Sequence, residues 1–583
     1  MEGVFRTIKT HSSPVACCVA ASLALGLAPF FYGKIQTGSW SAPNDTDSVY
    51  YLQIAAQPYY SHVPWLTDPS VPGGAIFYPW VQYLPFVYFV RALHLSIFSL
   101  TIVWTVFGAA AMAASAYALL WYFLRWRWLA AGLVVTLLAD ESDYHPFIHL
   151  ARMVAGAIAH PGRDFGQGLF DFRITNPMLD LPFLFLLILF VAMARDRPSR
   201  ARTWTCGACF AFLFYLYFYA WTLAAAALGL AFFLDNRCRV VYLKTLVVGF
   251  LLGAPAMIHD FMVRRALSVE GLTRFGMFTR PRWPDQFVPL PRHDLVVVPV
   301  LFLLVGAWIY LSRNYQWIFL YCMAAVGTLL SYSSMLTGVY LLDYHWNWLA
   351  GPVFTLLLYV TLGGFVTARL RFSGLLGIAW SVCVGLVFLS GLWLSIEDLR
   401  ERPEIGGLMR NYAEYAAQRQ GGDTPRLEPR AMVGGDDRFC DLAAIGENTV
   451  PLVGFPAYIS MALRDSELYE RYALNQYVQG VTDRARFIKM LTDDYGVPLS
   501  ASALIEGFTH AYDEVSGDPT RYIKRYDLRY VALPSARDAP ACLGQGWKLI
   551  QSGPSWKIWQ RIPDQAANGA ATYCTFRRDR RLS

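Results

Sequence analysis

Long apolar runs alternate with short polar segments over the first two thirds of the chain, and this pattern ends near residue 396. A helix needs about 20 apolar residues to cross the hydrocarbon of a bilayer, where every backbone amide must be satisfied internally. The runs therefore predict a polytopic α-helical membrane protein with about eleven transmembrane helices. The predicted spans are residues 14–33, 97–120, 127–139, 178–194, 204–218, 220–234, 245–260, 294–312, 316–332, 348–367 and 373–396.

In two stretches, apolar length alone does not determine how often the chain crosses the membrane. Residues 204–234 form one run that is too long for a single crossing, so we predict a hairpin turning at Tyr217–Trp221, with a single tilted helix as the alternative. Ile76–Leu93 is apolar and aromatic but contains Pro79 and Pro85. We predict an interfacial helix there, because a crossing would move the following basic loop to the wrong side.

Orientation follows from the short basic loops, since Lys and Arg are retained on the cytoplasmic side. With this count the N-terminus lies on the cytoplasmic face, and an odd number of crossings puts the C-terminal segment on the opposite face. The basic residues that share the cytoplasmic face are Arg125, Arg127, Arg195, Arg197, Arg200, Arg202, Arg237, Arg239, Lys244, Arg313, Arg369 and Arg371.

Composition supports this division of the chain. The whole sequence is 55% hydrophobic and 16% charged, which is too apolar for one water-soluble core. After residue 396, Pro, Gly and charged residues increase, and short apolar runs at 431–433, 450–453, 530–533 and 556–559 accompany a helical pattern over 468–491. We predict a transmembrane domain over 1–396 and a soluble extracytoplasmic α/β domain over 397–583, which contains no nucleotide-binding fingerprint.

The first outer loop carries an acidic motif that includes Asp45 and Asp47. Counted from Asp47, Tyr51 is at +4, Ile54 at +7 and Ala55 at +8. This motif resembles the one that follows the first span in the GT-C glycosyltransferase superfamily, which includes protein O-mannosyltransferases, the bacterial lipid A aminoarabinose transferase and oligosaccharyltransferase catalytic subunits. The superfamily often has a second acid where this chain has Ser48.

The resemblance extends to the Phe77–Trp80 segment, which is similar to the Tyr-Pro-containing interfacial helix of those enzymes, and to the C-terminal outer α/β domain. It implies an inverting transferase that moves a sugar from a polyprenyl-phosphate donor to an extracytoplasmic glycan, lipid or protein. Asp47, with Asp45 beside it, would serve as the general base. The alternative role of both aspartates is to cap the helix that begins near Ser48.

A phosphate leaves as a stable anion when cations hold its oxygens, so basic residues on the outer face are candidates for donor binding. The predicted loop from Phe261 to Asp294 is unusually basic for an outer loop, although long loops also translocate regardless of charge. His345 has a second interpretation as part of an aromatic belt. The candidate residues are Arg173, Arg264, Arg265, Arg274, Arg280, Arg282 and His345.

Glu141 and Asp143 follow the third predicted span, with His145 and His149 just beyond. The pair resembles the acidic pair with which oligosaccharyltransferase subunits help to hold a divalent metal. Carboxylate oxygens suit Mg²⁺ or Mn²⁺, and a solvated turn is the alternative. We expect no other cofactor.

The expected partners are a polyprenyl-phosphate-sugar donor, membrane lipids and a glycan, lipid or protein acceptor, and we expect no nucleic acid. The expected location is the plasma (inner) membrane, as a multi-pass protein. Two rival functions remain: a polytopic transporter or lipid flippase, and a noncatalytic assembly protein of an envelope glycan pathway. Acids in outer loops and the lack of internal repeats weigh against a transporter.

Overall fold

In a computed structural model, the chain forms two compact units. Unit 1 consists of Met1–Gln36, Phe77–Arg265 and Gly276–Gly406, and unit 2 of Thr37–Ile76, Ala266–Phe275 and Gly407–Ser583. The structure describes residues 2–40, 46–61, 66–71, 74, 76, 82–139, 178–274, 294–333, 337, 344–369, 374–401, 403–419, 424–454, 460, 462–493, 502–537 and 546–562.

Unit 1 is helical over its described residues, and each predicted span contains a helix. Helices are numbered in chain order over both units. Those of unit 1 are α1 (Glu2–Thr37), α3 (Leu84–Ala92), α4 (Leu100–Leu124), α5 (Arg127–Ala139), α6 (Leu181–Asp196), α7 (Arg200–Phe214), α8 (Phe218–Leu234), α9 (Arg239–Ala266), α11 (Asp294–Leu311), α12 (Ile318–Leu330), α13 (Tyr344–Arg369) and α14 (Gly374–Glu401).

Within the described residues, five helices are long and apolar enough to cross a membrane, and this confirms the membrane-helix character expected from the sequence. They are His11–Thr37, Ile97–Leu124, Arg239–Arg265, His345–Thr367 and Gly374–Trp393. The remaining predicted spans fall on shorter helices, so the total number of crossings stays a prediction.

The apolar run 204–234 is divided between two helices. α7 ends at Phe214 and α8 begins at Phe218, so the chain turns at residues 215–217, slightly earlier than expected. The Phe214 and Trp221 rings stack across this turn, with centroids 4.6 Å apart. Two helices rather than one tilted helix therefore occupy this run, as the prediction of a hairpin requires.

The predicted interfacial helix is shorter than expected in the part that the structure describes. α3 begins at Leu84 with Pro85 in its first turn, where a missing N–H is tolerated. Val87 and Val90 are buried while Tyr88 and Phe89 are exposed. Residues 77–81, including the Phe77–Trp80 segment, lie outside the described residues.

Several of the basic residues predicted to share one face do meet at one end of unit 1. The Arg195 Nε lies 2.8 Å from the Asp235 Oδ2, and the Tyr122 hydroxyl donates to the Asp196 carboxylate. The guanidinium groups of Arg195 and Arg237 both lie over the Tyr315 ring, at 5.8 and 5.9 Å from its centroid. These contacts bring together the ends of α4, α6 and α8, as the charge pattern predicts. The side of the membrane on which this end lies stays a prediction.

Unit 2 is an α/β unit around a five-stranded sheet. The strands are β1 (Met432–Gly435), β2 (Val450–Pro451), β3 (Leu528–Pro534), β4 (Trp547–Ser552) and β5 (Trp556–Arg561), in the order β2-β1-β3-β5-β4. β1 pairs in parallel with β2 and β3, and β5 pairs antiparallel with β3 and β4. The helices are α2 (Thr46–Ser61), α10 (Val269–Arg274), α15 (Pro403–Arg419), α16 (Asp437–Gly446), α17 (Asp465–Val478), α18 (Arg484–Asp493), α19 (Ser502–Gly517) and α20 (Pro519–Arg525).

The apolar runs expected to form strands at 431–433, 450–453, 530–533 and 556–559 correspond to β1, β2, β3 and β5. The predicted domain 397–583 supplies the sheet and most helices of unit 2. The unit also contains α2 and α10, which the sequence assigns to the outer loops of the membrane domain. Three separate stretches of chain thus form one compact unit.

Candidate functional site

The acidic motif of the first outer loop starts a helix. α2 begins at Thr46, so Asp47 lies in its first turn, while the carboxylate of Asp47 and the whole of Asp45 lie outside what the structure describes. Tyr51, Ile54 and Ala55 are 6%, 0% and 0% exposed. Every residue from Ser48 to Ala56 is buried, so α2 is buried on all sides over this stretch rather than on the motif face alone.

α2 is bound by side-chain contacts to α16 and to Asn448 just after it, within unit 2. The Gln53 amide donates to the carbonyl oxygen of Asp441 at 3.1 Å and to its Oδ1 at 3.2 Å. Near the end of α2, the Tyr60 hydroxyl donates to the Gly446 carbonyl, and the Asn448 amide donates to the Ser61 hydroxyl at 3.1 Å. The helix that carries the acidic motif is therefore part of the fold of unit 2.

Asp441 is a partly buried carboxyl in a local environment that disfavours its charge. Burial raises its pKa well above the ordinary value, the nearby Asp437 and Asp436 carboxylates raise it further, and the bond from Gln53 opposes them. An acid with a raised pKa keeps its proton to higher pH. While Asp441 stays protonated, the hydrogen bond from Gln53 therefore joins a neutral amide to a neutral carboxyl group.

The chain after α2 is also held by buried polar contacts. Asp68 is 2% exposed; it accepts hydrogen bonds from the Ser70 amide at 2.8 Å and from the Ser460 hydroxyl at 2.7 Å. The Arg471 guanidinium donates to the Ser70 carbonyl at 2.8 Å. Burial raises the pKa of Asp68 to about 6, although these donors and the Arg471 charge oppose the rise.

The start of the predicted arginine-rich loop is held by the same part of unit 2. The Ser268 hydroxyl donates to the Leu463 carbonyl at 3.0 Å, and the Asp465 amide donates to the Glu270 carboxylate at 3.0 Å. Leu463 also packs with Val71 from the first outer loop. Residues 463–471 therefore contact both of the outer segments that the sequence selected for chemistry.

The arginines of this loop do not all lie in a loop. α9 continues to Ala266, beyond the predicted span end at 260, and so Arg264 and Arg265 lie on its last turn. Arg265 lies over the Phe261 ring, 4.4 Å from its centroid. Basic residues are favourable at a helix C-terminus, which gives both arginines a structural role beside any phosphate-binding one. Arg274 ends α10, and its side chain lies outside the described part of the chain, as do Arg173, Arg280 and Arg282.

His345 lies in the first turn of α13, surrounded by aromatic rings of unit 1. Its ring stacks on Tyr219 with centroids 4.7 Å apart and lies 4.3 Å from the Trp348 ring. The Tyr217 hydroxyl forms a hydrogen bond with His345 Nδ1. These contacts fix the orientation of the imidazole, and they suit either of the two roles predicted for it.

A further buried acid that was not predicted from the sequence lies at the start of α6. Asp180 is fully buried; its Oδ1 accepts a hydrogen bond from the Gln82 amide at 3.0 Å, and its Oδ2 has no partner among the described residues. The Trp104 indole donates to the Gln82 carbonyl at 2.7 Å. The available signal was an acidic residue inside the predicted span 178–194, since such residues are usually retained for function.

The predicted metal pair, Glu141 and Asp143, lies outside the described residues. Within the residues that the structure does describe, no group of three His, Cys, Asp or Glu side chains is arranged to hold a metal ion. The metal site therefore stays a prediction.

No protein-family model and no curated protein matches the chain. Among solved structures, the chain is similar to the crystal structure of ArnT from Cupriavidus metallidurans bound to undecaprenyl phosphate. The two share 12% sequence identity, and the similarity covers 94% of this chain and 98% of that chain at a TM-score of 0.46.

Proposed function

We propose that the protein is an inverting GT-C-type glycosyltransferase that moves a sugar from a polyprenyl-phosphate donor to an extracytoplasmic glycan, lipid or protein. The observation that carries this proposal is the helix α2. It begins with the acidic motif directly after the first predicted span, and its residues from Ser48 to Ala56 are buried. A motif placed on a fixed helix can present a base in a defined position.

In this mechanism Asp47 takes the proton of the acceptor hydroxyl or amine as that group attacks the anomeric carbon of the donor. The bond from that carbon to the phosphate oxygen breaks, and the polyprenyl phosphate leaves. A single displacement inverts the anomeric configuration. No acid is needed for the leaving group, because a phosphate held by cations is a stable anion. Asp45 is proposed to assist Asp47.

The donor phosphate is assigned to the outer-face cations and His345. The binding of α10 to residues 463–465 supports this assignment for the arginine-rich segment, because it gives that segment a fixed support in unit 2. Bidentate contacts from guanidinium groups are well suited to phosphate oxygens. The proposed residues are Arg173, Arg264, Arg265, Arg274, Arg280, Arg282 and His345, with Glu141 and Asp143 proposed to hold Mg²⁺ or Mn²⁺.

The test is sugar transfer by the purified protein. Labelled polyprenyl-phosphate sugars are incubated with it and with envelope glycan, lipid and protein fractions, and the anomeric configuration of the product is measured by NMR. Asp47→Asn should lower the transfer rate by about 10²–10⁴, because a positioned general base contributes about that much. Glu506→Gln, at an exposed acid of unit 2, is the matched control and should retain full activity.

Three results would contradict the proposal. Full activity of Asp47→Asn would remove the assigned base. A product with retained configuration would exclude the single displacement. Counterflow of sugar or lipid across proteoliposomes without covalent transfer would favour a transporter. Thermal unfolding of each variant shows whether a loss of activity reflects a loss of fold.

A further inference from the structure

One buried amide joins α2 to the sheet domain on the side toward Asp47. Gln53 is 3% exposed, and its Nε2 donates to both the backbone carbonyl and the Oδ1 of Asp441. The contacts of Tyr60 with Gly446 and of Ser61 with Asn448 hold the C-terminal end of α2. Gln53 lies closer to Asp47, about 9 Å from it along the helix axis at 1.5 Å per residue.

The carboxyl of Asp441 is itself fixed in place. A Cβ at Gly454, where φ is +143°, would clash with Asp441 Oδ1, so the carboxyl lies directly against this backbone. α16 is fixed at its start, because Asp436 accepts a hydrogen bond from the Phe439 amide at 3.1 Å. The helix also connects β1 to β2. The acceptor for Gln53 is therefore part of a rigid strand–helix–strand segment.

We propose that Gln53 and Asp441 are a positioning pair, through which the C-terminal sheet domain sets the location of Asp47 for proton transfer. This inference rests on the proposed function and deepens it, because it makes the sheet domain part of the catalytic arrangement. Neither residue touches the reacting atoms. They act through the backbone of α2, and displacements of about 1 Å at a reacting group are enough to reduce a rate about 10²-fold.

The experiment uses the full chain in detergent. Gln53→Leu removes both hydrogen bonds, Asp441→Leu removes the bond to Oδ1 but leaves the bond to the backbone carbonyl, and Asp441→Asn keeps both acceptors for Gln53. Gln57→Leu is the matched control, since it removes the same amide one turn further along α2 from a residue whose Oε1 has no hydrogen-bond partner among the described residues. The readouts are kcat, the KM for the polyprenyl-phosphate sugar, and hydrogen exchange of peptides covering residues 46–61.

Gln53→Leu should lower kcat by roughly 10–100-fold and Asp441→Leu should lower it less, while the KM for the donor stays within about twofold in both. Hydrogen exchange of the peptides covering residues 46–61 should become faster in both Leu variants, and hydrogen exchange of β3 should not change. Asp441→Asn and Gln57→Leu should resemble the wild type. The double variant Gln53→Leu with Asp441→Leu should be no slower than Gln53→Leu alone, because Gln53→Leu already removes both hydrogen bonds.

The exchange measurement separates this inference from the proposed function. If the wild type transfers no sugar, the proposed function fails, and exchange over 46–61 still tests the pair. Unchanged exchange and kcat in both Leu variants would overturn the inference. A rise in exchange throughout unit 2 in Asp441→Leu would also overturn it, because the contact would then support the whole fold rather than position α2.

Discussion

Gly435 ends β1 in a conformation that other residues rarely adopt. Its φ is +108°, and a Cβ there would clash with the carbonyl oxygen of Ala532 on β3. The Asn475 side chain forms two hydrogen bonds with the backbone of Gly435: it accepts from the Gly435 amide at 2.7 Å and donates to the Gly435 carbonyl at 3.0 Å. The pairing of β1 with β3 therefore depends on the absence of a side chain at one residue.

Gly435→Ala should destabilise unit 2 by about 3 kcal/mol or more, because left-handed strain and a backbone clash act together. Thermal unfolding in detergent measures the effect. Gly407→Ala is the matched control, since it lies within α15 and a Cβ there meets nothing within 4 Å. Alanine should be neutral or slightly stabilising at that helical position. Equal melting temperatures for the two variants would contradict this explanation of Gly435.

The raised pKa of Asp68 predicts that the stability of the folded protein depends on pH. Its pKa is about 6 in the folded protein, against about 3.9 in an unfolded chain. Between these values the unfolded state releases the proton and the folded state keeps it, so stability falls as pH rises. The loss amounts to roughly 3 kcal/mol, is absent below about pH 4 and is complete above about pH 6.

Asp68→Asn should remove this contribution while keeping an acceptor for the Ser70 amide. We expect the stability difference, wild type minus variant, to decrease from pH 4 to pH 7, as followed by the melting temperature. Buffers of constant ionic strength keep surface charges comparable. A difference that stays constant over this range would show that Asp68 is not protonated in the folded protein at low pH.

At the scale of elements, α7 and α9 approach closely because small residues face larger ones. A Cβ at Gly207 would clash with Val248, and a Cβ at Gly249 would clash with Phe210. Without a strong hydrophobic drive between helices in lipid, such close packing supplies much of the association energy. The two glycines therefore determine the spacing of this helix pair.

Gly249→Ala should destabilise unit 1 by about 1–3 kcal/mol, since the added methyl group forces Phe210 to move. Gly229→Ala in α8 is the control, because a Cβ there meets nothing within 4 Å. The melting temperature of each variant is compared in the same detergent. If both substitutions lower it equally, the close contact with Phe210 is not the cause.

At the scale of the whole molecule, unit 2 is assembled from three distant stretches of chain. α2 packs in unit 2 with its Ile54 and Ala55 fully buried, and its Gln53 bonds to Asp441, which is 388 positions away in sequence. A fragment of residues 407–583 would lack α2. We expect it to have a lower melting temperature than unit 2 has in the full chain, because buried apolar area is lost.

A peptide of residues 44–61 added to this fragment should raise its melting temperature in a concentration-dependent way, by mass action. The same peptide with Ile54→Lys should have no effect, because the changed residue is fully buried in the full chain. Calorimetry measures both. The absence of any shift with the native peptide would contradict the assignment of α2 to the fold of this unit.

The sequence alone determined the features that depend on local patterning. Apolar length predicted the helices of unit 1, including the division of 204–234, and short apolar runs predicted β1, β2, β3 and β5. It missed β4, because Trp547–Ser552 pairs only with β5 and its residues are largely exposed or half-buried, without a clear alternation. It also ended one span at 260, where α9 continues to Ala266.

Tertiary structure decided what depends on residues that are distant in sequence. The motif spacing behind Asp47 was readable because i, i+4 and i+7 positions repeat along a helix. Local sequence patterns do not show three features of the fold: the bond from Gln53 to Asp441, the burial of Asp180 against Gln82, and the contacts of residues 463–471 with α10 and with the first outer loop. Each depends on residues that are distant in sequence, and only the folded chain brings these residues together.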